Sequence, residues 1–149
     1  MTIPKLTAAG QLPPGIHHAG LKEIVTRFGW NERRRTLLAG LRLALESLAA
    51  AGCKKAYVDG SFVTDKESPG DFDACWEPDG VVAALLDPVL LSFDDGRLAQ
   101  KTKFHGELFP SSWDAQRGGP PFVDFFQTDR ATGELKGVIS IELPGGLDD

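Results

Sequence analysis

The sequence predicts an α/β domain of the α+β kind, a small mixed β-sheet with flanking helices and a long helix ahead of its central strands. Three observations predict it. Leu37, Leu38, Leu41, Leu45 and Leu48 recur at three- or four-residue steps, the period of one helix face. The runs "KAYVDG", "DFDACW", "FVDFFQT" and "GVISIEL" have the length and residue types of short strands. Their order along the chain is helix, strand, strand, helix, strand, strand, which makes one small mixed sheet.

The elements follow in order. Residues 1–20 contain Pro4, Pro13, Pro14 and three glycines with no apolar period, and read as an extended arm with His17 and His18 on its surface. Leu21 to Phe28 forms a short helix closed by Gly29. Asn31 then caps the long helix "ERRRTLLAGLRLALESLAAAG", which Gly52 ends at the C′ position, where a left-handed residue is favoured. Arg33, Arg34 and Arg35 occupy its first turn, where positive charge opposes the helix dipole, and read as a solvated face. "KAYVDG" and "DFDACW" are strands joined through a turn at Pro69-Gly70. Asp79 caps an apolar stretch, Val81 to Leu91, that Pro88 kinks or splits. Residues 92–121 carry no clear period and end in a loop rich in glycine and proline. "FVDFFQT" is the third strand, "GVISIEL" the fourth, and "PGGLDD" frays. The folded domain thus spans 21–143, between the arm over 1–20 and a flexible tail over 144–149.

Composition narrows the partners. A chain of 149 residues, 42% hydrophobic and 25% charged, can bury a core as one domain. No run approaches the roughly 18 apolar residues of a membrane span, and the N-terminus lacks the apolar core of a signal peptide. Cys53 and Cys75 are too few for a disulfide framework or a zinc site. A cytoplasmic protein is the expectation. The net charge of −5 disfavours a grip on extended nucleic acid. Positive charge is local, at Arg33 to Arg35, Lys54-Lys55, Lys101 and Lys103, which suits a nucleotide or an RNA end.

The chemistry gathers in "YVDGSFVTDKESPGDFDACW", residues 57–76. Side chains alternate across a strand, so Asp71, Asp73 and Cys75 share one face, and Phe72, Ala74 and Trp76 turn to the core. Two carboxylates about 6.6 Å apart at Cα can lean onto one magnesium, or onto two about 3.5–4 Å apart. Magnesium takes hard oxygen ligands and completes its shell with water and phosphate, so the pair leaves room for a nucleotide. Gly60 lets a phosphate approach the backbone, and the Ser61 hydroxyl can donate to it. Lys66 lies in the same loop, within reach of a triphosphate, although an exposed loop lysine is passive by default. The long Gly-rich run of a Walker loop is not present.

These residues resemble the nucleotidyltransferase superfamily, the core shared by DNA polymerase β and the minimal nucleotidyltransferases. That pattern has a hydrophobic residue, Gly-Ser, a spacer of about ten, then acidic-hydrophobic-acidic. Here it reads Asp59-Gly60-Ser61, nine residues, Asp71-Phe72-Asp73, with Asp59 a departure from the hydrophobic position. The resemblance implies a third carboxylate on a later strand, and Asp124 in "FVDFF" is the expected one. The chain is also similar to small bacterial proteins of unassigned function with "LPPGIH" and "GSFVTDK". The activity implied is magnesium- or manganese-dependent transfer of NMP from an NTP such as ATP to an acceptor hydroxyl. Asp71, Asp73 and Asp124 would be catalytic and metal-binding; Gly60, Ser61 and Lys66 would hold the nucleotide. The acceptor is a protein side chain, an RNA 3′ end or a small molecule, in a toxin–antitoxin setting common among minimal relatives. The alternative is an inactive nucleotidyltransferase fold that binds a protein partner, as an antitoxin or assembly subunit.

Overall fold

The computed structural model describes residues 3–149, so Met1 and Thr2 of the expected arm lie outside the described residues. It has five strands, β1 (Gly15–His18), β2 (Lys55–Asp59), β3 (Phe72–Trp76), β4 (Gly106–Pro110) and β5 (Gly137–Glu142). Its helices are α1 (Leu21–Phe28), α2 (Glu32–Ala50), α3 (Asp94–Phe104) and the single turn α4 (Phe122–Phe125). The strands form one mixed sheet in the order β1-β5-β2-β3-β4. β2 runs antiparallel to both β3 and β5, while β1 lies parallel to β5 and β4 parallel to β3.

The sheet has two unlike faces. On one, Ala56, Val58, Phe72, Ala74, Trp76, Leu108, Ile139 and Ile141 pack against Leu37, Leu41, Leu45 and Leu48 of α2 and Leu21, Ile24 and Phe28 of α1. This is the apolar face that strand alternation predicts, and the leucine period of α2 is what meets it. On the other, Tyr57, Cys75 and Val138 pack under Phe122 and Phe126. That face is only partly roofed, and the acidic ends of β2 and β3 open from it.

α2 begins as the sequence predicts, with Asn31 Oδ1 accepting from the Arg34 N–H at 2.8 Å, and Gly52 follows it at φ +97°. Within it, Gly40 is the point of closest approach to α3. A Cβ there would run into the carbonyl oxygen of Phe104. Gly40→Ala is therefore expected to destabilise the fold by about 1–3 kcal/mol, although alanine is the better helix former. Thermal melts followed by circular dichroism read the effect; an unchanged or raised midpoint would contradict the packing.

Four expectations change. "FVDFFQT" is not a strand but the turn α4, in which the Phe125 N–H bonds to the Pro121 carbonyl and Phe126 to Phe122. Aromatic residues suggest a strand, yet here Phe122 and Phe126, four apart, share one helical side and fill the second core. Val81 to Leu91 forms two 3-10 turns, Ala83–Leu85 and Pro88–Leu91, instead of a helix capped by Asp79. Asp87 caps the second, accepting from Val89, because the Asp-Pro pair interrupts the run. Residues read as an extended arm are extended but tied in: Ile3 and Leu12 are buried, and β1 pairs with β5. The last residues pack against the body. Gly145–Leu147 forms a 3-10 turn, Leu147 packs on the core, and the Lys22 N–H donates to the Asp149 carbonyl at 2.6 Å. Among the described residues no helix is long and apolar enough to cross a membrane.

Candidate functional site

β2 ends at Asp59, and Gly60 turns the chain with φ +86° into the 3-10 turn Ser61–Val63. The glycine is required twice. Its backbone is left-handed, and a Cβ would strike the Asp73 carboxylate. β3 returns antiparallel so that Asp73 stands opposite Asp59, and parallel β4 sets Glu107 beside Asp73 on its other side. Partners in register point to the same face. The result is a row of three carboxylates, Asp59, Asp73 and Glu107, across three adjacent strands, with Asp71 two residues before Asp73.

The ends of this row are tied and its middle is not. Lys136 Nζ lies 2.6 Å from Asp59 Oδ1. Arg97 donates through Nε to Glu107 Oε2 at 3.0 Å, its Nη2 also lies 3.0 Å from that oxygen as an ion pair, and Lys101 Nζ sits 3.2 Å from Glu107 Oε1. Among the described residues neither Asp71 nor Asp73 has a side-chain hydrogen bond or ion pair. Burial pushes the Asp73 carboxyl up to about 7, with Asp71, Glu107 and Asp59 adding repulsion and Lys136 opposing it. Asp71 is also raised, by burial and by Glu107, with Lys101, Arg33 and Arg97 opposing. Burial raises Asp59 against the pull of Lys136. A buried carboxylate crowded by others, as Asp73 is, favours a bound proton or a cation.

The loop from 61 to 70 is held from α2. Arg34 is completely buried and donates to the carbonyls of Phe28 (3.1 Å), Phe62 (2.6 Å), Thr64 (2.8 Å) and Lys66 (2.7 Å). Its guanidinium lies 3.7 Å from the Trp30 ring centroid. Burial lowers it to about 10, with Glu67 and Asp65 opposing, so it stays charged at neutral pH. Arg33 donates to the carbonyls of Pro69 (3.1 Å) and Gly70. The solvated face expected of these arginines holds for Arg33 and Arg35, which are exposed, while Arg34 is buried and, with the bonds of Arg33, clamps the loop between Gly60-Ser61 and Asp71. Lys66 contributes its carbonyl to that clamp; its side chain is exposed and does not line the cavity.

The row opens into a cavity of about 600 Å³. One end carries Asp59, Gly60, Ser61, Thr64, Asp73 and Glu107; Phe109, Phe122, Phe125 and Phe126 form the other. The Phe109 and Phe122 rings stack at 4.1 Å, and the Arg130 guanidinium lies 5.3 Å from the Phe125 centroid. Gln11 closes one wall through a 2.9 Å bond to Asp129. Asp124 does not join the acidic residues. It lies on α4 two residues from Phe122, so when Phe122 and Phe126 turn inward it turns outward, exposed and off the cavity wall.

Sequence reasoning thus brought Gly60, Ser61 and Asp73 together on the cavity wall, with Asp71 just ahead of β3 and off that wall, and it missed Asp59 as a participant, Glu107 and Arg97. Strand alternation in "GELFP" would have found Glu107 once that run was read as a strand. The donor set is all carboxylate oxygen, which suits a hard cation such as magnesium. Among the described residues no three carboxylate, histidine or cysteine side chains converge as a metal cage, and Asp59 and Glu107 are turned to basic partners. The unpartnered pair Asp71 and Asp73 fits such a cation best.

A family model described as "Family of unknown function (DUF6932)" matches residues 4–142. No curated protein matches the chain, and no solved structure does.

Proposed function

The chain belongs to the family of unknown function DUF6932, so its chemistry is read from the site itself, and we propose that it is a metal-dependent nucleotidyltransferase, moving NMP from an NTP to an acceptor hydroxyl. One observation carries the reading. Asp73, unpartnered and crowded by Asp71, Glu107 and Asp59, is set beside Gly60 and Ser61 at the polar end of a cavity whose far end is aromatic, and Asp71, also unpartnered, immediately precedes β3. That arrangement offers a cation, a phosphate contact and a flat apolar surface for a base in sequence.

Asp71 and Asp73 would hold magnesium or manganese, which when bound neutralises phosphate charge and aligns the reacting oxygens. Gly60 leaves room for a phosphate against the backbone, and the Ser61 hydroxyl donates to it. Glu107, not Asp124, would serve as the third carboxylate, since it stands in register with Asp73, and to do so it must exchange one of its basic partners for the cation. The base lies toward Phe122 and Phe125, where the Arg130 guanidinium can cover it. The acceptor oxygen attacks the α-phosphorus, the bond to the β-phosphate oxygen breaks, and pyrophosphate leaves. The acceptor classes remain a protein side chain, an RNA 3′ end or a small molecule, and a toxin–antitoxin role rests on resemblance alone.

A second reading is a binding protein on the same fold. Its support is that Lys136, Arg97 and Lys101 already neutralise two of the four carboxylates. The two separate in one experiment. The protein is incubated with Mg²⁺ or Mn²⁺, each α-³²P-labelled NTP and cell extract, beside the double variant Asp71→Ala/Asp73→Ala. Label that moves onto protein, RNA or a small molecule and is lost in the variant is the expected result. Metal-dependent nucleotide binding without transfer favours the binding protein, and absence of both removes the nucleotide from the proposal.

A further inference from the structure

Resting on the nucleotide reading, we propose that Arg97 is a triphosphate-sensing latch: it holds Glu107 in the unliganded chain and leaves it for the terminal phosphates of an NTP, so that triphosphate and cation bind cooperatively. Arg97 lines the same cavity as Ser61 and Asp73. Its planar fork is spent on a single oxygen, Glu107 Oε2, through two nitrogens. Carboxylate and phosphate are the two groups that fork fits, so a phosphate competes for it directly. Glu107 does not become an uncompensated charge when Arg97 departs, because Lys101 remains on its other oxygen.

The backbone supports the assignment. Asp95, Gly96 and Arg97 have φ of +51°, +65° and +64°, and regular helix begins only at Leu98. Two non-glycine residues in the left-handed region cost on the order of 1–3 kcal/mol each, and such positions concentrate where a side chain must be delivered to a site. Here the delivered side chain is Arg97, brought over β4 with its guanidinium 5.7 Å from the Phe109 centroid. The loop geometry and the paired carboxylate together make Arg97 a residue with a second destination in the cavity.

A latch predicts effects of opposite sign, which a packing role does not. Arg97→Met frees Glu107, so Mn²⁺ alone, followed by electron paramagnetic resonance, is expected to bind at least about fivefold more tightly. The same variant is expected to bind α,β-methylene-ATP, or its GTP, CTP or UTP counterpart, about 10- to 100-fold more weakly by calorimetry. Binding of the corresponding monophosphates stays unchanged. Arg97→Lys keeps the charge without the fork and is expected to lose part of the triphosphate affinity with no gain for Mn²⁺. Weakened or unaltered Mn²⁺ binding in Arg97→Met, or equal loss of mono- and triphosphate, overturns the latch alone. Failure of the unmodified chain to bind Mn²⁺ or any nucleotide overturns the nucleotide reading and the latch with it.

Discussion

Asp73→Asn is expected to abolish metal-dependent nucleotide binding and, at the same time, to make the folded chain more stable above pH 7. The first effect follows from removing the charge of the proposed ligand, which asparagine cannot replace. The second follows from linkage. In the folded state the carboxyl titrates at about 7, against an ordinary value of 3.8. Between these values the folded state holds a proton that the unfolded chain has released, so stability falls as pH rises through this window and stays low above it. An amide escapes that loss. The expected gain at pH 8 is on the order of 2–4 kcal/mol, shrinking to nothing below about pH 4. Thermal melts at pH 4 and pH 8 beside titration calorimetry test both halves, and a variant that melts lower at pH 8 would falsify the electrostatic account. Saturating Mg²⁺ is expected to stabilise the unmodified chain and leave Asp73→Asn unmoved.

Arg34→Met is expected to be the most damaging single change to the fold and to take the site with it. The variant removes a buried cation and leaves the carbonyls of Phe28, Phe62, Thr64 and Lys66 without their donor. Breaking a buried charge network of this kind costs about 3–5 kcal/mol, a large part of the stability of a domain this size. Arg34→Lys is expected to restore little, since one ammonium has three protons on a single atom and cannot span four separated acceptors. Urea titrations measure the loss. Nucleotide binding at low temperature, where the variant still folds, then reports whether the loop of Ser61 has shifted; full affinity there would separate Arg34 from the site.

The parts of the fold legible in the sequence are those governed by local rules. α2 is written in its leucine period, its Asn31 cap and Gly52, and all three hold in the structure. β2 and β3 are written in alternation, which turns Asp73 to the open face, while Asp71 lies just ahead of β3. What escaped depends on contacts distant in sequence. Phe122 to Phe126 has strand-like composition, yet the second core claims two of its rings four residues apart, so it coils and turns Asp124 outward. Glu107 sits in a five-residue strand after a helix that starts left-handed, a combination with no period to detect. Arg34 sits among three arginines in a helix first turn, where exposure is the rule. Only the loop folding back over it, 28 to 32 residues later, makes it a core residue.

The position of β5 between β1 and β2 governs when the protein becomes competent. The strand nearest the C-terminus is inserted between the first two, pairing with residues some 80 to 120 positions earlier. Lys136, which neutralises Asp59, immediately precedes it, and Gln11 reaches the cavity wall only through Asp129. Such non-local pairing raises contact order and slows folding relative to helical domains of the same size. On the ribosome, α2 and the β2–β3 pair can form early, but the acidic row stays unroofed and unbalanced until residue 142 has emerged. The cavity is therefore a product of the completed chain: a nascent or prematurely terminated copy carries Gly60, Ser61, Asp71 and Asp73 without the walls that make them a site.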